Sequence, residues 1–182
     1  MRFIRILVLA LAVVGTTVTS PKLANAAVAW TINDATKQDR PTSVDFLGSA
    51  WFLGSTSFFG GAGWFCYPIV PEGFLPSVND TFNLEVGAWV FYYSVNVRPA
   101  NYSYLGIIPA GGVRWDFNLT KDWTVFAAAK LGVRIGTGDA PKTMRLDGGG
   151  SIGAYWNFSR DMFLRMETGN QGLVAVGISI VL

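Results

Sequence analysis

Residues 123–135 alternate between apolar and mixed positions with a period of two. Every odd position is apolar, and the polar residues Thr124, Lys130 and Arg134 all fall on even positions. A period of two is typical of a strand whose two faces meet different environments. At 13 residues the segment exceeds the usual globular strand of about 5–6 residues. It is long enough to cross a bilayer, which takes roughly 9–11 tilted residues.

Seven further segments alternate in the same way or are apolar enough to be strands. The predicted strands are 46–55, 61–67, 82–93, 104–117, 123–135, 144–156, 162–167 and 173–182. The polar turns 118–122 and 157–161 match in residue class, which indicates two successive hairpin turns at one end of a barrel. Residues 68–80 contain three prolines and are predicted as a connection, and 94–103 as a polar loop. We therefore predict an all-β fold, an antiparallel up-and-down transmembrane β-barrel of about eight strands.

The N-terminus has the pattern of a secretory signal peptide. Arg2 and Arg5 precede a short apolar run, and Ala24-Asn25-Ala26 matches a cleavage signal. The expected organisation is a cleaved signal peptide over 1–26, a polar N-terminal segment over 27–45 and a barrel domain over 46–182. The whole chain has 14 basic and 12 acidic residues, but three of the basic residues lie in the leader. The remaining chain is therefore nearly neutral, and we expect no nucleic-acid partner.

The composition favours a membrane barrel over a soluble one. Hydrophobic residues make up 51% of the chain and charged residues 14%, against about 25% charged in a typical soluble domain. Aromatic residues gather near the two short turns and again at the other end of the strands, as expected for two membrane interfaces. The predicted interface aromatics are Trp115, Phe117, Trp123, Trp156 and Phe158 at the turn end, and Tyr92 and Tyr104 at the opposite end.

Charged residues of the predicted strands share a face with glycine and serine, and their signs nearly balance. They are Glu85, Arg114, Asp116, Lys130, Arg134, Arg145, Asp147, Arg165 and Glu167. Side chains can fill the interior of an eight-stranded barrel, and charges buried there must be paired. The parity predicts a lumen closed by ion pairs, the alternative being that some of these residues are ordinary surface charges.

The residue types exclude several kinds of chemistry. The chain has no histidine and a single cysteine, Cys66. Ser–His and Asp–His catalytic arrangements are therefore impossible, as are histidine or multi-thiolate metal sites. Pairs of carboxylates such as Glu85 and Asp116 could support acid–base chemistry in principle, but neutralisation by inward arginines is the expected role. We predict a protein that is not an enzyme and that has no cofactor and no metal site.

The chain resembles the small eight-stranded outer-membrane β-barrel proteins of Gram-negative bacteria, the group of OmpX and the membrane domain of OmpA. The resemblance covers about residues 46–182 and rests on the leader, the strand count, the tryptophan-flanked turns and the end of the chain. Gly177 and Ile180 occupy positions of that family's C-terminal assembly signal, whereas Leu182 replaces the usual terminal aromatic residue. The resemblance implies an outer-membrane location, outer-membrane lipid around the barrel, assembly by the barrel-insertion machinery and periplasmic turns at 118–122 and 157–161.

Three hypotheses follow for function. The leading one is a non-enzymatic outer-membrane β-barrel with a structural or cell-surface interaction role. The first alternative is a narrow pore or carrier for small solutes, and the second is a soluble exported lipocalin-like barrel that binds an apolar ligand. No specific partner is indicated by the sequence.

Overall fold

Eight antiparallel strands close into a single barrel in the computed structural model, which describes residues 32–33, 41–97, 100–138, 144–169 and 172–182. The strands are β1 (Ser43–Leu53), β2 (Thr56–Val70), β3 (Asp80–Val97), β4 (Ala100–Asn118), β5 (Trp123–Gly138), β6 (Met144–Asn157), β7 (Met162–Gly169) and β8 (Gly172–Val181). Each strand pairs with its neighbours in chain order, and β8 pairs with β1. The predicted fold class, an all-β up-and-down barrel of eight antiparallel strands, is confirmed. Within the described ranges no helix is long and apolar enough to cross a membrane.

Several strands begin or end at residues other than those predicted, whereas β5, β6 and β7 begin at the predicted residues Trp123, Met144 and Met162. β1 starts at Ser43, so the barrel includes the last residues of the expected N-terminal segment. β2 continues through Pro68, because the proline lies beside an irregularity in the register with β3 rather than within a regular ladder. The predicted loop 94–103 is mostly strand, since β3 runs to Val97 and β4 resumes at Ala100. The predicted signal peptide lies outside the described residues.

The eight strands differ greatly in length. β4 has 19 residues and β7 has 8. Within the described residues, β6 pairs with β7 only from Ser151 onwards, and β1 pairs with β8 only as far as Gly48. The wall made by β7 and β8 is therefore shorter than the rest of the barrel at the end opposite the turns 118–122 and 157–161.

Alternation along each strand sorts the side chains into an inner and an outer set. On β3, Asn83, Glu85 and Trp89 are buried, whereas their neighbours Leu84 and Val86 are exposed. The same parity holds on β5, where Lys130 is buried and Leu131 is 63% exposed. A strand with period two presents alternate residues to opposite faces, so the barrel has a filled interior and an apolar outer surface.

The interior is divided along its length into two layers. The layer nearer the end of the barrel opposite the 118–122 and 157–161 turns is apolar and aromatic, built around Trp64, Trp89, Phe91 and Ile108. The layer nearer those turns is charged. We refer to the second layer as the buried charge network, which consists of Asp45, Glu85, Arg114, Asp116, Lys130, Arg165 and Glu167.

Candidate functional site: the buried charge network

Asp45 on β1 is the residue through which most strands of the barrel are joined. Its carboxylate is fully buried and accepts hydrogen bonds from Ser179 on β8 and Arg165 on β7, as well as from Tyr155 on β6 at 2.8 Å. It also accepts a longer bond of 3.4 Å from the thiol of Cys66 on β2. One short side chain thus ties the first strand to the last and to three others.

Glu85 on β3 is the second fully buried carboxylate of the network. Its Oε1 accepts hydrogen bonds from Arg114 Nη1 at 2.6 Å and from Arg165 Nη1 at 2.8 Å. Its Oε2 lies 3.0 Å from Lys130 Nζ. Three cations from β4, β5 and β7 therefore surround one carboxylate, which brings the remaining strands into the network.

All three guanidinium nitrogens of Arg114 on β4 donate hydrogen bonds. Nε and Nη2 donate to the two oxygens of Asp116 at 2.7 and 3.0 Å. Nη1 donates to Glu85 and, at 2.5 Å, to the hydroxyl of Tyr155. Asn83 completes the shell by donating to Asp116 at 3.1 Å. Because a guanidinium presents its donors in a fixed plane, this arrangement fixes the relative positions of β3, β4 and β6.

Aromatic rings support the cations from the side. The guanidinium carbons of Arg114 and Arg165 lie 4.9 and 5.6 Å from the centroid of the Tyr155 ring, and 5.5 and 5.0 Å from that of Phe126. Lys130 Nζ lies 4.5 Å from the centre of the Trp64 ring. Such cation–π contacts gain strength where the cation is desolvated, so the rings offset part of the cost of burying charge.

Two of the predicted lumen charges form a separate pair. Arg134 on β5 binds Asp147 on β6, and the guanidinium of Arg134 also lies 5.2 Å from the centroid of the Phe91 ring. The pair is less buried than the network, with the Arg134 side chain 26% exposed. Arg145, the register partner of Arg134, is exposed and has no ion pair within the described ranges. The structure thus brings every predicted lumen charge except Arg145 into an ion pair.

The predicted interface aromatics fall into two groups. Trp123, Trp156 and Phe158 are exposed on the outer surface near the two short turns, as is Tyr92 at the other end. Trp115 and Phe117 are half-buried and also point outward. Tyr104 does not belong with them, because β4 parity turns it inward, where it packs against Phe91 at a ring distance of 5.7 Å. Its assignment as an interface residue is wrong.

Sequence reasoning missed four members of the site, namely Asp45, Cys66, Tyr155 and Ser179. Asp45 was assigned to the polar segment before the barrel because Pro41 and several polar residues precede it. The available signal was parity, since Asp45 shares its face with Leu47 and Ser49, both buried. The charge balance also pointed to it weakly, because the predicted lumen set held one more cation than carboxylate.

Asp45, Cys66 and Glu85 each offer a ligand atom within 4.8 Å of the others, a spacing that a metal ion could bridge. The same oxygens, however, accept hydrogen bonds from Arg165 and Arg114. Two guanidinium groups already supply the positive charge that a cation would bring, so a metal ion would have to displace them. The arrangement is suited to holding strands together rather than to ligating a metal.

The contacts of the network therefore serve to hold the strands of the barrel together. Four carboxylates and three cations from five strands pair with one another, and Cys66, Tyr155 and Ser179 join the other three strands to them. Burying charge costs several kcal/mol per ion unless every charge is paired and hydrogen-bonded. Once assembled, such a network penalises any strand arrangement that leaves one of its members without a partner.

Comparisons with known proteins assign no family to the chain. No protein-family model matches the chain, and no curated protein matches it. Among solved structures, a chain described as "De novo design of transmembrane beta-barrels" is similar, with a TM-score of 0.45 and 18% sequence identity over 80% of this chain and 99% of that chain.

Proposed function

We propose that the chain is a non-enzymatic transmembrane β-barrel of the bacterial outer membrane, with a structural or cell-surface interaction role. The observation that carries the proposal is the inverted polarity of the barrel. Asp45, Glu85 and Arg165 are fully buried inside, whereas large apolar side chains cover the outside. In a bilayer the outer face meets lipid and polar groups lie inside, and the half of the interior nearer the 118–122 and 157–161 turns has this distribution.

The outer apolar surface favours a membrane protein over a water-soluble one. Leu131, Leu146 and Ile152 are 63%, 76% and 63% exposed, and they lie on the paired strands β5 and β6. Val86 and Val90 on β3 and Val176 on β8 extend the same surface around the barrel. Contiguous exposed apolar patches beyond a few hundred Å² are rare on soluble monomers and mark protein or membrane contact.

The filled interior argues against the alternative of a solute pore. The charge network occupies one half of the lumen, and Trp64, Trp89 and Phe91 fill the other half. An eight-stranded barrel has an interior only just wide enough for side chains. We therefore expect no steady ion conductance from the protein in a planar bilayer.

The alternative of a soluble lipocalin-like barrel requires a lumen with room for a ligand. Such a barrel holds an apolar ligand in a lumen lined by apolar side chains. Here the corresponding space holds Glu85, Arg114 and Arg165, each bonded to other buried groups. These paired side chains therefore fill the space that a ligand cavity would need.

The proposal is tested by the behaviour of the chain that begins at residue 27. We expect it to require detergent for extraction, to float with lipid vesicles and to migrate differently on gels before and after boiling, because a closed barrel resists unfolding by detergent. Solubility in plain buffer together with an unchanged gel position would contradict the proposal and favour the lipocalin-like alternative. Single-channel steps in planar bilayers would favour the pore.

The assignment to the outer membrane is checked separately. Fractionation of cells that express the full chain is expected to place the protein with the outer membrane after removal of residues 1–26. N-terminal sequencing of the recovered protein tests the removal directly. Recovery in the inner membrane or the cytoplasm would contradict this part of the proposal.

A further inference from the structure

The outer surface of β5, β6, β7 and β8 is indented between the 118–122 and 157–161 turns and the far end of β7. The groove is a shallow depression of about 490 Å³ that is open to the outside, and it is lined mainly by Val125, Ile152, Ala154, Met166 and Val174. Its volume lies within the range of about 300–1,000 Å³ that small-molecule sites occupy. All five of these side chains point outward, so the groove faces whatever medium surrounds the barrel.

Small residues create the groove. Ala154 lies in register between Val125 and Met166, and its single methyl leaves the space between the two longer side chains open. At the neighbouring position Gly153 lets the ring of Phe126 come close to the wall, because a Cβ on residue 153 would overlap that ring. The ring of Phe126 therefore forms an apolar part of the floor, and Glu167 and Thr168 also line the groove.

An aromatic pair lies between the groove and the two turns. Trp123 and Trp156 are register partners with ring centroids 6.3 Å apart and nearly parallel planes. Both are exposed, and on each strand the next outward residue belongs to the groove. Tryptophan prefers the level of lipid head groups, so in a bilayer this pair would lie where an acyl chain meets its head group.

Charges of both signs lie directly beyond the tryptophan pair. The two turns are tied together by hydrogen bonds from Asn157 to the carbonyls of Asp122 at 2.8 Å and Lys121 at 2.9 Å. They expose two cations and two carboxylates. These four residues are Lys121, Asp122, Arg160 and Asp161.

We propose that the groove binds one zwitterionic phospholipid, with an acyl chain along β5–β7 and the head group at the two turns. Lys121 and Arg160 would bind the phosphate, and Asp122 and Asp161 would bind the ammonium group. The balance of signs favours a head group that carries both charges over an anionic one. This inference rests on the proposed membrane location, since the groove would otherwise face water.

The test uses the chain from residue 27 onwards, purified in detergent and mixed with one defined lipid at a time. Phosphatidylethanolamine, phosphatidylglycerol and diacylglycerol with the same acyl chains serve as probes, and native mass spectrometry counts the lipid that stays bound. We expect one retained phosphatidylethanolamine per barrel. It should be held about fivefold better than diacylglycerol, the order of magnitude of one basic contact near a lipid surface, and better than phosphatidylglycerol, which lacks the ammonium group that Asp122 and Asp161 would bind.

Two sets of variants separate the parts of the proposal. Ala154→Phe fills the groove and is expected to abolish retention, whereas Ala88→Phe, also outward but on β3, is the matched control and should retain lipid as the wild type does. Replacing Lys121 and Arg160 together by glutamine should remove the preference for phosphatidylethanolamine over diacylglycerol.

Equal retention by Ala154→Phe and Ala88→Phe would overturn the groove assignment, and equal retention of all three lipids by the wild type would overturn the head-group assignment. Vesicle flotation and the gel shift are recorded for every variant. They report on the proposed membrane barrel itself, so its failure is distinguishable from failure of the lipid site.

Discussion

Replacement of Arg165 by methionine should destabilise the barrel more than replacement of Asp45 by asparagine. Arg165 is fully buried and donates to Asp45, to Glu85 at 2.8 Å and to Glu167 at 2.5 Å. Methionine keeps the unbranched shape of the side chain but removes the charge. The variant would hold four buried carboxylates against the two cations Arg114 and Lys130.

The magnitude follows from what each change leaves behind. Removal of one partner of a buried ion pair costs about 3–5 kcal/mol, because the other charge stays buried without compensation. Asp45→Asn instead leaves three carboxylates and three cations, so its cost should be that of weakened hydrogen bonds to a charged group, about 1.5–3 kcal/mol. The double variant should cost about 1–3 kcal/mol less than the sum of the two single changes, since the residues are in contact.

The assay is equilibrium unfolding in urea of protein folded into vesicles, followed by tryptophan fluorescence. Asp147→Asn is the matched control, because its pair with Arg134 is only partly buried, with side chains 9% and 26% exposed. It should cost about 1 kcal/mol, the upper end of the range for exposed pairs. If Arg165→Met and Asp45→Asn cost the same within about 0.5 kcal/mol, the charge-balance reasoning is wrong. A cost of Arg165→Met no larger than that of Asp147→Asn would contradict the structural role of the network altogether.

Three further predictions concern the wall of the barrel and its thiol. Ala129 points outward at mid-height of β5, and Ala129→Arg should cost about 2–4 kcal/mol of unfolding free energy or block insertion into vesicles. Thr137→Arg, near the strand end, should cost only about 0–1 kcal/mol. Equal effects of the two changes in urea titrations would contradict the assignment of the outer face. Gly177→Ala should lower the unfolding free energy by about 1–3 kcal/mol, because a Cβ on residue 177 would overlap the backbone of Phe46. Gly63→Ala is its control and should change the unfolding free energy by less than about 0.5 kcal/mol, because no atom lies within 4 Å of the added Cβ. Cys66 is 2% exposed, so a maleimide should label it only after unfolding, and rapid labelling of the folded protein would show that the lumen is open.

The sequence predicted the barrel because period-two alternation persists over most strands, and alternation is a local property of the chain. It predicted the inward charges for the same reason. Parity on β4, read in the same way, also shows that Tyr104 faces inward, yet proximity to other tyrosines suggested the opposite. The mistake came from grouping residues by position along the barrel without checking their face.

The residues missed by sequence reasoning are those whose role depends on closure of the barrel. Asp45 is 134 residues from Ser179, and no local pattern connects the two. Pro68 and the polar segment 94–103 were excluded from strands on residue type, although tertiary pairing with β3 and between β3 and β4 overrides that preference. The lipid groove also depends on register across three strands.

The short pairing between the first and last strands has a consequence for how the chain folds. Bringing residues 134 positions apart together costs about 4 kcal/mol of chain entropy, against about 3 kcal/mol for the 21 positions between Asp45 and Cys66. Hairpins between consecutive strands should therefore form early, and closure should come last and limit the rate, as long-range strand pairing does generally. Until then Asp45 lacks Ser179 and Arg165, so an open sheet carries an unsatisfied charge along one edge. A charged group is more stable in water than in lipid. We therefore expect this edge of the sheet to stay out of the lipid until its partner strand has paired with it.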